Sequence, residues 1–287
     1  MFFKKKRKKE LRKLYSAIND AAIVQSLRQS ALTAKSLTQT NCIAEHEVIV
    51  SLTTYSKRIH DVYLVLESIS AQTVLPNRVI LWLAEDEFSL DTLPLTLKSR
   101  LPFGLEVRFC PDIRSYKKII PTLQLAPDSL VITLDDDVIY PHDTLERLLN
   151  EHHAYPNSIL GNRAHEITFN GVSHRPYKQW KKEVEQAEAN VFLTGCGAIL
   201  YPPSSLHESV TDSQLFMKLC PHADDVWLYI MARMKGTEIR KAVGRDFNEF
   251  VEIPNSQTIG LNKLNVDNGQ NDIQLNAVIE HFGFTLR

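Results

Sequence analysis

Four short apolar runs rich in β-branched residues constrain this chain most: VIVSLTTY (48–55), RVILWLAE (78–85), LEVRFC (105–110) and LVITLDD (130–136). Such runs suit strands covered on both faces, as in a parallel sheet with helices above and below. Between the first two, Val62, Val65, Leu66 and Ile69 recur at helical spacing. Between the third and fourth, SYKKIIPTLQLA reads as a shorter helix broken or started near Pro121. Strand, helix, strand, strand, helix, strand predicts an α/β fold with a mostly parallel, Rossmann-like sheet flanked by helices. At 287 residues and 44% hydrophobic, the chain has enough apolar mass to close such a core.

The fold proper is expected to start near His46, because SALTAKSLTQTNCIAEHE (30–47) is small and polar, like a linker or loose docking segment. HDTLERLLNEHHAY begins with Asp143 three residues before Glu146, a capping-box-like helix start. NVFLTGCGAILYPP (190–203) reads as a further strand or strand pair, and DDVWLYIMARMKG (224–236) as a helix ended by Gly236. Trp227, Ile230, Met231 and Met234 share one face of that helix and are read as core. The expected organisation is a basic extension and linker over 1–45, a ligand-binding half over 46–140, and a second half over 141–287.

The formal net charge of -1 conceals an asymmetry. Residues 1–13 carry eight Lys/Arg against the single acid Glu10, a net of +7, which leaves the rest of the chain at -8. Leu11, Leu14, Tyr15, Ile18 and Ala22 follow at helical spacing. The arm therefore reads either as a basic helical extension lying on an anionic membrane surface through residues 4–13 or as a solvated basic tail. Nucleic acid is not an expected partner, since the basic charge stops at residue 13 and no interleaved aromatic platform follows. No apolar signal core follows the arm, and no run of about 18 apolar residues occurs. The expectation is a protein neither exported nor membrane-spanning, cytoplasmic and peripheral on the inner face of the membrane. Cys42, Cys110, Cys196 and Cys220 are widely spaced with no C-x-x-C pair, which fits a reducing compartment.

VITLDDDVIYP (131–141) crowds Asp135, Asp136 and Asp137 at the end of an apolar run. Adjacent carboxylates repel, so something positive is expected beside them. Open parallel sheets bind ligands at the carboxyl ends of their strands. If the strand stays extended, Asp135 and Asp137 share one face about 6.6 Å apart and Asp136 points away. That spacing favours a division of labour, with one acid on a divalent cation and another accepting from a sugar hydroxyl. Mg²⁺ or Mn²⁺ fits oxygen donors completed by substrate phosphates. The alternative is a solvated turn with Asp caps. A second acidic pair opens the helix at 224: Asp224 reads as its cap, and Asp225 as a general base facing the cleft.

In order, VIVSLTTY, LDDDVIYP, TGCGAILYPP and HADDVWL resemble a bacterial nucleotide-sugar glycosyltransferase of the GT-A fold, near the inverting family 2, over roughly residues 46–235. In that family a D-x-D motif meets donor and metal, and an E-D-x-x-L-like motif opens a helix and supplies the base. Asp224-Asp225-Val226-Trp227-Leu228 matches it with Asp for Glu. The resemblance implies that Asp137 ligates the metal, with Asp135 and His281 as further ligand candidates. It implies that Asp135 or Asp136 contacts ribose or nucleotide and that Asp225 deprotonates the acceptor hydroxyl. Thr53, Thr54 and Tyr55 would line the base and ribose pocket, departing from the usual P-x-Y-N pattern. Lys117 and Lys118 approach the diphosphate or form a solvated helix face. Asp224, His222 and Trp180 fall on the acceptor side, Trp180 being otherwise simply core.

The implied activity is metal-dependent, inverting transfer from a nucleotide-diphosphate sugar, UDP-sugar first, to a hydroxyl of a glycan or lipid-linked acceptor. Cell-surface polysaccharide or lipopolysaccharide synthesis is the expected setting. One rival is a sugar nucleotidyltransferase, which commonly has a glycine-rich phosphate loop after its first strand; SLTTYSKRIH has no glycine. The other is a non-catalytic, membrane-docked binder of nucleotide or sugar.

Overall fold

The four apolar runs become β1 (Val48–Thr53), β2 (Arg78–Ala84), β3 (Leu105–Cys110) and β4 (Leu130–Thr133) in a computed structural model of the chain. The structure describes residues 2–33, 35–41, 43–184, 190–243, 249–254, 256 and 269–286, without the side chains of 2–6, 8, 9, 12 and 13. The helices are α1 (Phe2–Ser30), α2 (Tyr63–Ser70), α3 (Leu95–Lys98), α4 (Ile120–Leu125), α5 (Thr144–Ala154), α6 (Ser213–Leu219), α7 (Asp224–Lys235) and α8 (Gln270–Phe282). The remaining strands are short: β5 (Val138–Ile139), β6 (Ile159–Gly161), β7 (Ala164–Glu166), β8 (Phe169–Asn170), β9 (Ser173–His174), β10 (Val191–Leu193), β11 (Ile199–Tyr201), β12 (Ile239–Lys241) and β13 (Val251–Glu252).

Seven strands form one sheet in the order β12-β6-β11-β4-β1-β2-β3. Neighbours are parallel except at β11, which runs antiparallel to both β4 and β6. The fold is thus α/β with a mostly parallel mixed sheet. Successive β1 side chains serve opposite faces. Val48, Val50 and Leu52 pack with Val62, Val65, Leu66 and Ile69 around α2, while Ile49 packs with Ile80, Trp82 and Cys110. Each such aliphatic side chain contributes about 1.5–3 kcal/mol relative to exposure. A buried polar node on this face is satisfied: Thr122 Oγ1 meets Ser51 Oγ and accepts from Trp82 Nε1, both at 2.7 Å.

Several local expectations shift. The fourth run leaves the ladder at Thr133, and Asp136 and Asp137 lie in a turn, so the extended spacing of about 6.6 Å for Asp135 and Asp137 does not apply. Pro121 starts α4 within its first two residues, where a missing N–H costs nothing. Asp143 sits at the N-cap of α5 without a side-chain cap bond; its carboxylate accepts from Arg147 Nε, and Glu146 accepts from Thr73 Oγ1, so no capping box forms. β10 and β11 are consecutive but pair elsewhere, β10 with β7 and β11 within the main sheet. Gly236 ends α7 in the left-handed region at φ 80, as a C-terminal glycine does. Trp227, Ile230 and Met231 are buried and Met234 packs on the same cluster.

The polar stretch read as a loose linker is stitched to the body. Leu37 is fully buried, its N–H bonds Phe103 O at 2.8 Å, and Asn77 Nδ2 bonds the carbonyls of Gln39 and Asn41. Gly104 has φ +98, and a Cβ there would meet Thr38 Oγ1 at 2.5 Å. Ile23, Val24 and Leu27 seat the end of α1 on the core. Arg100 Nη2 donates to Ala31 O at 2.9 Å and pairs with Glu67 at 2.5 Å, with both side chains essentially without solvent exposure. No helix among the described residues is long and apolar enough to cross a membrane. Cys110, Cys196 and Cys220 are free thiols, and Cys42 lies outside the described residues.

Candidate active site

The chain leaves β1 toward β2 and β3 on one side and returns to β4 on the other, so the topological switch point lies between β1 and β4. In an open α/β sheet the crevice beyond the carboxyl ends at that point is where ligands bind. Ser51 pairs with Thr133 and Leu134 N donates to Ser51 O, which brings Thr54–Arg58 and Asp135–Asp137 out at the same edge. The turn after β3 (114–118) and the start of α7 reach this edge too. So does Gly195–Gly197 ahead of β11, because β11 enters from there.

The positive partners expected beside the three acids are side chains of the protein itself. Arg58 forks across two of them, Nη1 to Asp136 Oδ1 at 2.7 Å and Nη2 to Asp137 Oδ2 at 2.9 Å. Its guanidinium lies 5.2 Å from the Tyr55 ring centre, and Thr54 Oγ1 donates to Asp136 Oδ2 at 2.5 Å. Lys118 takes the third acid, donating to Asp135 Oδ1 at 2.8 Å, while its ammonium stands 3.0 Å from Asp224 Oδ2. Asp135 N–H donates to Tyr140 Oη at 2.8 Å, which pins the turn from below.

Neither acid at the start of α7 acts as its cap; the N-cap position is Ala223. Asp224 accepts from Ser115 Oγ at 2.8 Å and faces Lys118, and Asp225 accepts from Gly195 N–H at 3.0 and 3.1 Å. Both still gain from the positive end of the helix. Gly195 lies at the centre of this convergence. A Cβ on it would stand 2.6 Å from Lys118 Nζ, 3.0 Å from Asp225 Oδ1 and 3.6 Å from Asp135 Oδ1. Only glycine allows the acid turn, the lysine and the α7 acids to meet so closely.

Five carboxylates therefore face two cations, Lys118 buried and Arg58 partly buried, and burial together with the surplus of negative charge raises the pKa of Asp136, Asp137 and Asp225. Burial, then repulsion by Asp135, lifts Asp137 to about 7; burial, then Asp224, lifts Asp225 to about 7. Burial likewise raises Asp136 against the pull of Arg58 and Thr54. For Lys118, burial disfavours the charge, yet Asp135, Asp224 and Asp225 outweigh it and hold the ammonium well above its ordinary range. Asp135 and Asp137 offer hard oxygen donors where positive charge is short, which fits a divalent ion that takes the rest of its shell from phosphates and water. Among the described residues no cluster of three or more His, Cys, Asp and Glu side chains is placed to hold an ion by itself.

Other sequence candidates end up elsewhere. Lys117 is buried against Asp112, on a different partner from its neighbour Lys118. Trp180 is core: its ring packs on Tyr177 and Phe192 and its N–H bonds Arg175 O, so it presents no acceptor face. His281 is exposed in the last turn of α8, edge-on to Phe282, and no described contact joins it to the acids. His222 sits at the rim two residues before Asp224, within 2.9 Å of Arg114 Nη1, with its pKa lowered by burial and by that arginine. Thr53 Oγ1 bonds Trp82 O and so belongs to the sheet, whereas Thr54 and Tyr55 join the site through Asp136 and Arg58. Sequence reading passed over Arg58, Ser115, Tyr140 and Gly195. Arg58 was findable as the one arginine just past the end of β1, and Gly195 as the first glycine after a strand in TGCG. Ser115 and Tyr140 carry no local signal. No protein-family model matches the chain, and no curated protein matches it.

Proposed function

We propose that this protein is a metal-dependent, inverting glycosyltransferase of GT-A type, acting from a nucleotide-diphosphate sugar onto a hydroxyl of a glycan or lipid-linked acceptor. The observation that carries the reading is the meeting of Asp135 with Asp225 around Gly195 and Lys118 at the β1/β4 switch point. A donor-side acid and a base-capable acid converge there from distant parts of the chain. Asp137 and Asp135 would hold the divalent ion, which would supply electrostatic stabilisation to a departing diphosphate. Lys118 and Arg58 add fixed positive charge on the same side. Asp225, poised near neutrality, takes the proton of the acceptor hydroxyl as its oxygen bonds to the anomeric carbon. The bond from that carbon to the diphosphate oxygen breaks, and its electron pair leaves with the nucleoside diphosphate. No second nucleophile is needed, so the anomeric configuration inverts. A cytoplasmic setting supplies such donors.

The test is thermal stabilisation of wild type and Asp137→Ala by UDP, GDP, CMP and dTDP, each with and without Mn²⁺. Saturation at a hundred times Kd stabilises by about 2.7 kcal/mol. A shift for one nucleotide that needs both Mn²⁺ and Asp137 supports the reading and names the donor class. The absence of a shift with every nucleotide overturns it. Arg58 already bridges Asp136 and Asp137, which favours as second reading a nucleotide binder without turnover. Release of labelled sugar to acceptor separates the two.

A further inference from the structure

The helix α1 has two apolar faces, and the body uses only one. Ile23, Val24 and Leu27 pack on the core near its C-terminal end. Leu11, Leu14, Tyr15 and Ile18 are 45%, 57%, 70% and 57% exposed. At 3.6 residues per turn these four, with Ala22, fall on the opposite side of the helix from the docked set. Toward the N-terminus the same helix carries Lys4, Lys5, Lys6, Arg7, Lys8, Lys9, Arg12 and Lys13. The buried Arg100–Glu67 pair and the bond to Ala31 O fasten the other end.

We infer that the N-terminal half of α1 is an interfacial anchor for an anionic lipid surface, and this stands whether or not the site transfers sugar. An apolar stripe on a helix whose N-terminal turns carry eight cations matches the boundary between acyl chains and acidic headgroups. The stripe enters the acyl edge while the cations meet the headgroups, each worth about fivefold in affinity near the surface. A second copy of the chain is the less suitable occupant. Side-by-side α1 helices in parallel would bring two arms of net +7 together. Nucleic acid would use the charge and leave the stripe exposed.

The experiment is co-sedimentation of the full chain with phosphatidylglycerol vesicles and with phosphatidylcholine vesicles, at about 0.1 M and about 0.5 M salt. Wild type should bind the anionic vesicles at the lower salt, lose most of that binding at the higher salt, and bind neutral vesicles weakly. Lys5→Gln/Lys8→Gln/Lys9→Gln should lower affinity on the order of a hundredfold. Leu14→Glu/Ile18→Glu should abolish binding with an unchanged thermal melt, since both positions are exposed. Equal binding by the stripe variant means that charge alone acts and overturns the anchor. So does a wild-type dimer in sedimentation equilibrium that the stripe variant dissolves, without vesicle binding; the stripe is then a contact between copies.

Discussion

Lys118 Nζ lies 3.0 Å from Asp224 Oδ2 and thereby ties the turn after β3 to the first residue of α7. The same ammonium holds Asp135, so one side chain joins three separate stretches of chain. Lys118→Met keeps the stem and deletes the charge, leaving Asp135 and Asp224 without their shared cation. The expected loss is about 3 kcal/mol, at the low end for an orphaned buried charge, because Asp135 is 27% exposed and can hydrate. Urea unfolding should show a lower midpoint with an unchanged slope. An unchanged midpoint would remove Lys118 from this structural role.

Gly195→Ala tests the close approach. The new Cβ meets the flexible end of Lys118 and the carboxylate of Asp225, so the ion pairs shift while the fold remains. On the proposed activity, sugar transfer should fall on the order of a hundredfold, the scale for displacing a reacting group by about 1 Å. Far-UV circular dichroism should match wild type. Full turnover in a folded Ala variant would contradict the crowding around Gly195.

Asp225 predicts a pH profile. Burial, then Asp224, raises its carboxyl to about 7, so below that pH the proton blocks its use as a base. On the proposed mechanism kcat/KM should climb as pH rises through about 7 and level off above it. Asp225→Asn should lower kcat roughly 10²–10⁴-fold while donor binding persists. A rate independent of pH across neutrality in wild type would assign the base elsewhere.

His165 predicts acid sensitivity away from the site. Burial, then Arg163, lowers its pKa to about 4, and the neutral ring accepts at Nδ1 from Glu183 N–H at 3.2 Å. The unfolded chain binds this proton near the ordinary value of about 6.5 and the folded one only near 4. Its contribution is therefore complete above pH 6.5 and is lost as pH falls toward 4, by on the order of 3 kcal/mol. Histidine NMR titration should find one ring with a midpoint near 4. His165→Gln, which can keep an acceptor, should flatten stability between pH 4 and 6.5.

The strands β1 to β4 could be read locally because β-branched density over a few residues is a local property, whereas β6 and β12 of the same sheet carried no such run. Val48–Thr53, Arg78–Ala84 and Leu105–Cys110 fall within their predicted runs for that reason. The exit of Asp135–Asp137 from β4 was not readable in this way. Their turn is shaped by Arg58, Lys118 and Tyr140, and two of these three residues reach it from other elements of the fold. Trp180 shows the opposite limit: an aromatic residue in a polar stretch looks the same in sequence whether it faces a sugar or Tyr177 and Phe192.

By itself the sequence determined that this chain folds around a mostly parallel sheet, carries three acids past one strand and two more at a helix start, and bears a basic arm. Apolar periodicity and charge order dictate these without reference to distant residues. Only the tertiary structure decided that Arg58 and Lys118 are the counter-charges, that Lys117 turns to Asp112 instead, and that Gly195 leaves the space in which Asp135 and Asp225 approach. Buried charges take whichever partners packing brings within reach, and that choice is set by the fold as a whole.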